Sequence, residues 1–176
     1  MKRVAGLLRG VNVLGRKVLM ADLRRVTAGA GFDAPTTLLN SGNVVFGTTL
    51  PAAETAARLE AAIHEEIGLA TEVAIRDLGE LNAVIAANPF PEQAKAEPSR
   101  LVAMFLNGPP QGDLASLAQA CVLGEEVRLG PGCLYIYFPQ GLGASKLDNG
   151  VIERRLKVGG TVRNWNTVGK LVALLT

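Results

Sequence analysis

The order of its β-type and helix-type segments constrains this chain more than any other sequence feature. In the first 76 residues, short β-prone runs alternate with stretches in which apolar residues recur every three or four positions. The segments are, in chain order, a strand at 3–9, a helix at 19–29, strands at 36–39 and 44–46, a helix at 51–67 and a strand at 71–76. This is the βαββαβ order of a ferredoxin-like unit.

The second half of the chain repeats this theme with one difference. The sequence predicts, in order, a strand at 101–106, a helix at 113–121, strands at 125–129 and 133–138, and helices at 147–157 and 164–175. Gly159-Gly160 is interpreted as a helix stop, so a helix takes the place of the last strand.

We therefore expect an α+β protein of two ferredoxin-like subdomains in tandem, with antiparallel sheets and helices packed on them. The first subdomain covers residues 1–88, including a linker helix at 77–87 that Asp77 caps, and the second covers 89–176 with a C-terminal helix. One mixed sheet without true repeats is the alternative.

Composition agrees with a folded chain and excludes other classes. Of the 176 residues, 48% are hydrophobic and 19% are charged, so the chain can bury a core. The strongest apolar stretch, 101–106, is far shorter than the roughly 18 residues that a membrane span needs. Cys121 and Cys133 form no CxxC pair and are interpreted as reduced core thiols. We expect a cytoplasmic protein without a membrane partner.

Positive charge is concentrated at the two ends of the sequence. Residues 1–25 hold seven Lys or Arg and one acid, and residues 140–176 hold six bases and two acids. If the ends meet in space, they form one positive surface that attracts anions. Scattered, solvated charge is the alternative.

Strand direction predicts where the loops lie. In the βαββαβ order each element reverses direction, so loop 10–17 and turn 40–43 are expected at one end of the first sheet. The same count places Asn107-Gly108, the turn 130–132 and residues 161–167 together at one end of the second half. Loops on a rigid sheet are common places for function.

The residues in these loops suit a small anionic ligand that carries a phosphate or a carboxylate. Arginine grips such groups with two hydrogen bonds, glycine admits close backbone approach, and a helix start attracts anions. The candidate ligand-binding residues are Arg9, Gly10, Asn12, Lys17, Ser41, Gly42, Asn43, Arg163, Asn164, Trp165, Asn166 and Thr167. We expect them to line a concave site between the two subdomains.

These residues also have structural interpretations. Ser41-Gly42-Asn43 suits a hairpin, Asn164 or Asn166 suits a helix cap, and Trp165 suits a core. With those roles, the chain is a structural or interaction protein without a ligand. A nucleic-acid-binding module is a third hypothesis, which rests on the basic ends but lacks the aromatic residues that such sheets interleave.

No residue pattern indicates a particular reaction. The sequence contains no GxSxG, P-loop or GxGxxG motif. His64 has no second histidine or nearby cysteine, so neither a metal site nor a cofactor is predicted. Ser145-x-x-Asp148 is interpreted as a helix-capping box rather than as a nucleophile with its base. Whether the chain is an enzyme stays open.

Three motifs resemble those of a bacterial family known as domain of unknown function 1697. They are LLRGVNVLGRKVLMADLR at 7–24, LLNSGNVVF at 38–46 and GGTVRNWNTVGKL at 159–171. The resemblance implies two ferredoxin-like subdomains and implies no activity. One departure is Leu14, where the family often has a second glycine beside Gly15, which argues against a Gly-Gly phosphate cradle.

Overall fold

Two four-stranded antiparallel sheets with helices make up this α+β protein. The structure is a computed structural model that describes residues 1–12 and 15–176, so the departure at Leu14 lies outside the described residues. Packing divides the chain into a first unit, residues 1–81 with 170–176, and a second unit, residues 82–169. No helix within the described residues has both the length and the apolar character needed to cross a membrane.

The first unit follows the predicted order of elements. Its elements are β1 (Lys2–Leu8), α1 (Met20–Gly29), β2 (Asp33–Leu38), β3 (Asn43–Thr48), α2 (Ala52–Ile67) and β4 (Val73–Asp77). The strands lie in the order β2-β3-β1-β4, and every neighbouring pair is antiparallel. Gly68 ends α2 in the left-handed conformation, as the helix-stop pattern predicts.

Successive side chains along each strand point to opposite faces of the sheet, and those on one face build the core of this unit. Val4, Leu8 and Phe46 on one sheet face are buried in one cluster with Leu23 of α1 and Leu59 of α2. Each fully buried side chain of this kind stabilises the fold by roughly 1.5–3 kcal/mol.

The second unit has the same sheet order built from shorter helices. In chain order, the elements after β4 are α3 (Leu78–Ala86), α4 (Pro91–Ala96), β5 (Leu101–Leu106), α5 (Leu114–Ala118), β6 (Glu126–Gly130), β7 (Cys133–Tyr137), α6 (Asn149–Leu156), β8 (Gly160–Asn164) and α7 (Trp165–Leu175). The strand order is β6-β7-β5-β8, again antiparallel throughout. The six-residue helix α4 was not predicted from the sequence.

The expectation that a helix replaces the last strand of the second half is wrong. β8 pairs with β5, with Gly160 opposite Leu106 and Asn164 opposite Val102. A Cβ atom on Gly160 would lie 2.8 Å from the Phe105 carbonyl oxygen, so glycine permits the close approach of the two strands. The glycine that was interpreted as a helix stop therefore begins a strand.

The predicted capping box of Ser145 with Asp148 is also wrong. Asp148 caps α6 by itself, because its Oδ1 accepts the Val151 N–H at 2.8 Å. Ser145 instead donates its hydroxyl to Glu125 Oε1 at 2.5 Å. The predicted cap at Asp77 is present, since its Oδ1 accepts the Glu80 N–H at 3.0 Å.

The units differ in extent from the predicted division at residue 88. Residues 82–88 pack with the second unit, where the Tyr135 hydroxyl donates to the Val84 carbonyl at 2.6 Å. Residues 170–176 pack with the first unit. Sequence breakers such as Asn88-Pro89 mark a chain turn, whereas packing decides where a unit ends.

Candidate functional site

Three loops meet at one end of the first sheet. β1 and β2 run in the same direction, and the Leu8 N–H donates to the Gly42 carbonyl at 2.8 Å. The predicted meeting of loop 10–17 with turn 40–43 is therefore confirmed for the loop's described residues, 10–12 and 15–17. The segment after α2 joins them, because the Arg9 N–H donates to the Glu72 carbonyl at 3.0 Å. We call residues 9–12, 15–18, 39–42 and 68–72 the loop cluster.

The side chain of Asn12 ties two of these loops together. Its Nδ2 donates to the carbonyl oxygens of Asn40 and, at 3.2 Å, of Val18. Its Oδ1 accepts the Val18 N–H at 2.8 Å. Asn12 adopts a positive φ of 57°, a conformation that asparagine tolerates better than most residues. Both ends of the amide are engaged, so Asn12 positions the loop rather than presenting a free donor.

The residues of the hairpin motif build the turn itself. Asn43 is fully buried, and its Nδ2 donates to the Leu38 carbonyl at 3.0 Å and to Ser41 Oγ at 2.8 Å. Gly42 has a φ of 71° and lies against Val11 and Leu8, where a Cβ atom would collide with both side chains. The structural interpretation of Ser41-Gly42-Asn43 therefore accounts for these contacts.

Two cations of the loop cluster are held by the loop that follows α2. Arg9 Nη1 lies 3.2 Å from Glu72 Oε2 in an ion pair. Arg16 Nη2 donates to the Ala70 carbonyl at 2.5 Å. Arg16 Nη1 lies 3.3 Å from the position that a Cβ atom on Gly10 would occupy. Lys17 is exposed, and its ammonium group makes no hydrogen bond or ion pair with a described residue. The cluster thus carries three cations against one carboxylate.

Sequence reasoning missed Glu72 and Ala70 as members of this site. The signal was present, because α2 returns the chain to the end of the sheet where β1 exits, and Leu8 pairs with Val73 at the start of β4. Extending the count of strand directions through α2 would have placed this loop beside Arg9.

Arg163, in the second unit, is a buried strand residue. It lies opposite Ala103 on the edge strand β8 and is only 7% exposed. Its Nη1 donates to the Val162 carbonyl at 2.8 Å. Burial lowers the pKa of its guanidinium to about 10, which leaves it charged at neutral pH.

The residues after Arg163 begin α7. Asn164 Oδ1 accepts the Thr167 N–H at 3.0 Å and the Thr167 hydroxyl at 3.1 Å, so Asn164 is the helix cap that the structural interpretation expected. The half-buried Trp165 ring has its centroid 6.3 Å from that of Tyr135, and Asn166 is exposed. One of the helix-start N–H groups that we expected to attract an anion is thus occupied by the cap.

The predicted placement of residues 161–167 beside Asn107 and turn 130–132 is wrong. Gly160 lies at that end of the sheet, opposite Leu106, whereas Asn164 lies at the other end, opposite Val102. Strand β8, which was not predicted, carries the chain from one end of the second sheet to the other. Asn164 to Thr167 therefore begin α7 at the opposite end of the second sheet.

No group of three or more His, Cys, Asp or Glu side chains that could hold a metal ion occurs among residues 1–12 and 15–176. His64 is exposed on α2. Cys121 and Cys133 form no disulfide; the first is half-buried and the second is buried.

Comparisons with known proteins identify a family and a fold. A family model described as "Protein of unknown function (DUF1697)" matches residues 1–135, which include the first two of the three motifs. The conserved bacterial protein SP0830 from Streptococcus pneumoniae has a similar solved structure, with a TM-score of 0.70 and 22% sequence identity over 99% of this chain and 98% of that one. This likeness shows the fold alone. A search of curated proteins finds no match.

Proposed function

The chain belongs to the family described as "Protein of unknown function (DUF1697)", and we propose that it binds a small phosphate- or carboxylate-bearing molecule at the loop cluster. The observation that carries the proposal is the way two guanidinium groups are held in place, Arg9 by Glu72 and Arg16 by Ala70. Lys17 adds a third cation whose ammonium group has no described partner.

Fixed cations favour anion binding because their side chains lose little further freedom when the ligand arrives. The loop also leaves room for a ligand. A Cβ atom on Gly15 would meet no atom within 4 Å, and Gly15 has a φ of 83°. Open space therefore lies beside the Gly15 backbone, next to Arg16 and Lys17 in the chain.

The proposal does not depend on residues 163–167. Arg163 is buried, and Asn164 and Thr167 bond to each other. Asn12, Ser41 and other predicted ligand residues of the first unit contribute by shaping the loops.

Isothermal titration calorimetry with inorganic phosphate and with citrate, at constant ionic strength, tests this function. The double variant Arg16→Gln/Lys17→Gln should weaken binding at least about tenfold, because each charge-assisted contact contributes roughly 1.5–3 kcal/mol before solvent screening. Lys2→Gln/Arg3→Gln is the matched control, since it removes two cations from the far end of β1 and should leave affinity unchanged. Absence of binding by the wild type, or equal loss in both double variants, would contradict the proposal.

A structural or interaction role without a ligand is the second candidate. It is supported by the mutual hydrogen bonds of Asn43 with Ser41 and of Asn164 with Thr167. In that case neither phosphate nor citrate binds, and both double variants behave like the wild type.

A nucleic-acid-binding module receives less support. Such modules read bases on an open sheet face, whereas Ala5, Leu7 and Val45 on the face opposite the helices of the first sheet are fully buried.

We further infer that each unit is ferredoxin-like, which the βαββαβ element order and the strand order β2-β3-β1-β4 support. A cytoplasmic location belongs to the same proposal and is supported by the two cysteines, which form no disulfide.

A further inference from the structure

A cleft of about 510 Å³ opens on the helix side of the second sheet. Its apolar lining includes Val102, Ile136 and Phe138, which are buried, and Val162, which is half-buried. Leu142, which is 42% exposed, forms part of the wall. The volume falls within the range of about 300–1,000 Å³ that small-molecule sites have.

The cleft follows from the length of α6. In the first unit the equivalent helix, α2, has 16 residues, whereas α6 has eight. Ile152 and Leu156 of α6 are buried in the core of the second unit. An eight-residue helix spans only about 12 Å at 1.5 Å per residue, so the segment before it, rather than the helix, borders the remaining sheet surface.

Two opposite charges stand at the rim of this cleft. A Cβ atom on Gly150 would lie 3.3 Å from Arg154 Nη1 and 3.3 Å from Asp148 Oδ1. The two side chains nevertheless form no ion pair, since none of their charged atoms come within 4.0 Å of each other. Among the described residues, Arg154 has no ion-pair or hydrogen-bond partner, while Asp148 accepts the Val151 N–H. Glycine at 150 keeps the space between them open.

We propose that this cleft binds an apolar α-amino acid. The amino acid's carboxylate pairs with Arg154, its ammonium group pairs with Asp148, and its side chain lies on Leu142 and Val162, the apolar lining residues that keep exposed surface. A ligand whose two charged groups are attached to one carbon matches a rim that holds a cation and an anion close together without an ion pair, and the apolar lining selects the side chain. This site does not involve the loop cluster.

Calorimetric titration of the full-length chain with three probes tests the assignment. The probes are L-leucine, isopentylamine, which lacks the carboxylate, and 4-methylpentanoate, which lacks the ammonium group. We expect leucine to bind at least about tenfold more tightly than either analogue, because each analogue leaves one rim charge without a partner.

Two variants separate the two charges. Arg154→Gln should weaken leucine and 4-methylpentanoate about tenfold and leave isopentylamine unchanged. Asp148→Asn should weaken leucine and isopentylamine about tenfold and leave 4-methylpentanoate unchanged. Asparagine can still cap the helix, so the variant should fold. Lys146→Gln is the control, because Lys146 is an exposed cation of the same segment that does not line the cleft.

The outcomes decide the proposal either way. The proposal is supported if each variant weakens only the probes that carry the group paired with the removed charge. It is overturned if leucine does not bind at millimolar concentration, if the two analogues bind as tightly as leucine, or if Lys146→Gln weakens leucine as much as Arg154→Gln does. A failure here leaves phosphate binding at the loop cluster untouched, since the two experiments use different probes and variants.

Discussion

Replacing Gly42 by alanine tests whether the hairpin turn and the exit of β1 form one tightly packed joint. Gly42 has a φ of 71°, and a Cβ atom there would lie 2.3 Å from Val11 Cγ2 and 2.9 Å from Leu8 Cβ. Both distances are shorter than real contacts between such atoms. The Leu8 N–H also donates to the Gly42 carbonyl at 2.8 Å, so the turn cannot move without breaking this bond.

The expected destabilisation has two parts. A left-handed conformation costs an alanine about 1–2 kcal/mol relative to glycine. Forcing an extra methyl group into a packed position costs about 1–3 kcal/mol more. Gly42→Ala should therefore lower the free energy of unfolding by about 2–5 kcal/mol, which corresponds to a fall in Tm of very roughly 4–20 °C for a chain of this size.

Gly68→Ala is the control that separates the two parts. Gly68 has a nearly identical φ of 74°, but a Cβ atom there would meet nothing within 4 Å. It should therefore cost only the backbone part, about 1–2 kcal/mol. Urea unfolding followed by circular dichroism, together with thermal melts, measures both. Equal destabilisation by the two substitutions would refute the steric reasoning.

Three further predictions concern single side chains. Asn12→Gly keeps the positive φ but removes the amide that joins Val18 to Asn40, and it should cost about 1–2 kcal/mol in urea unfolding; an unchanged midpoint would contradict the positioning role. Asn164→Ala should cost about 1 kcal/mol through loss of the α7 cap, whereas Asn166→Ala should cost nothing in the same assay. Burial acts to raise the pKa of Glu125, but hydrogen bonds from Ser145 and from backbone groups hold this pKa below its usual value. The ionised carboxylate therefore stabilises the fold at neutral pH. This contribution is lost as the pH falls through the lowered pKa. Ser145→Ala should therefore reduce the loss of stability that occurs as the pH falls below about 5, and an unaltered pH profile would argue against it.

Local patterns were sufficient to predict most elements of the first unit. Apolar spacing through Leu23 and Val26 predicts α1, and Pro51 with Gly68 bounds α2, because these signals depend only on neighbouring residues. Strand direction then predicts that loop 10–17 meets the hairpin turn. That inference needs only the order of elements, which is why it was confirmed.

The elements that sequence reasoning missed depend on contacts between distant residues. β8 is five residues long and begins with a glycine whose purpose is visible only beside Phe105 of β5. Without that pairing, the motif at 160–164 has the composition of a loop, and the count of strand directions goes wrong after it. The same limit applies to the site, because the ion pair of Arg9 with Glu72 joins residues 63 positions apart.

The most direct test of anion binding at the loop cluster is a phosphate titration followed by proton–nitrogen correlation NMR of the backbone amides. The account predicts saturable shifts concentrated at Gly10, Gly15, Arg16 and Lys17, which carry the cations of the loop cluster or adjoin them in the chain. It is contradicted if these amides do not respond, or if Lys2 and Arg3 at the far end of β1 shift just as much.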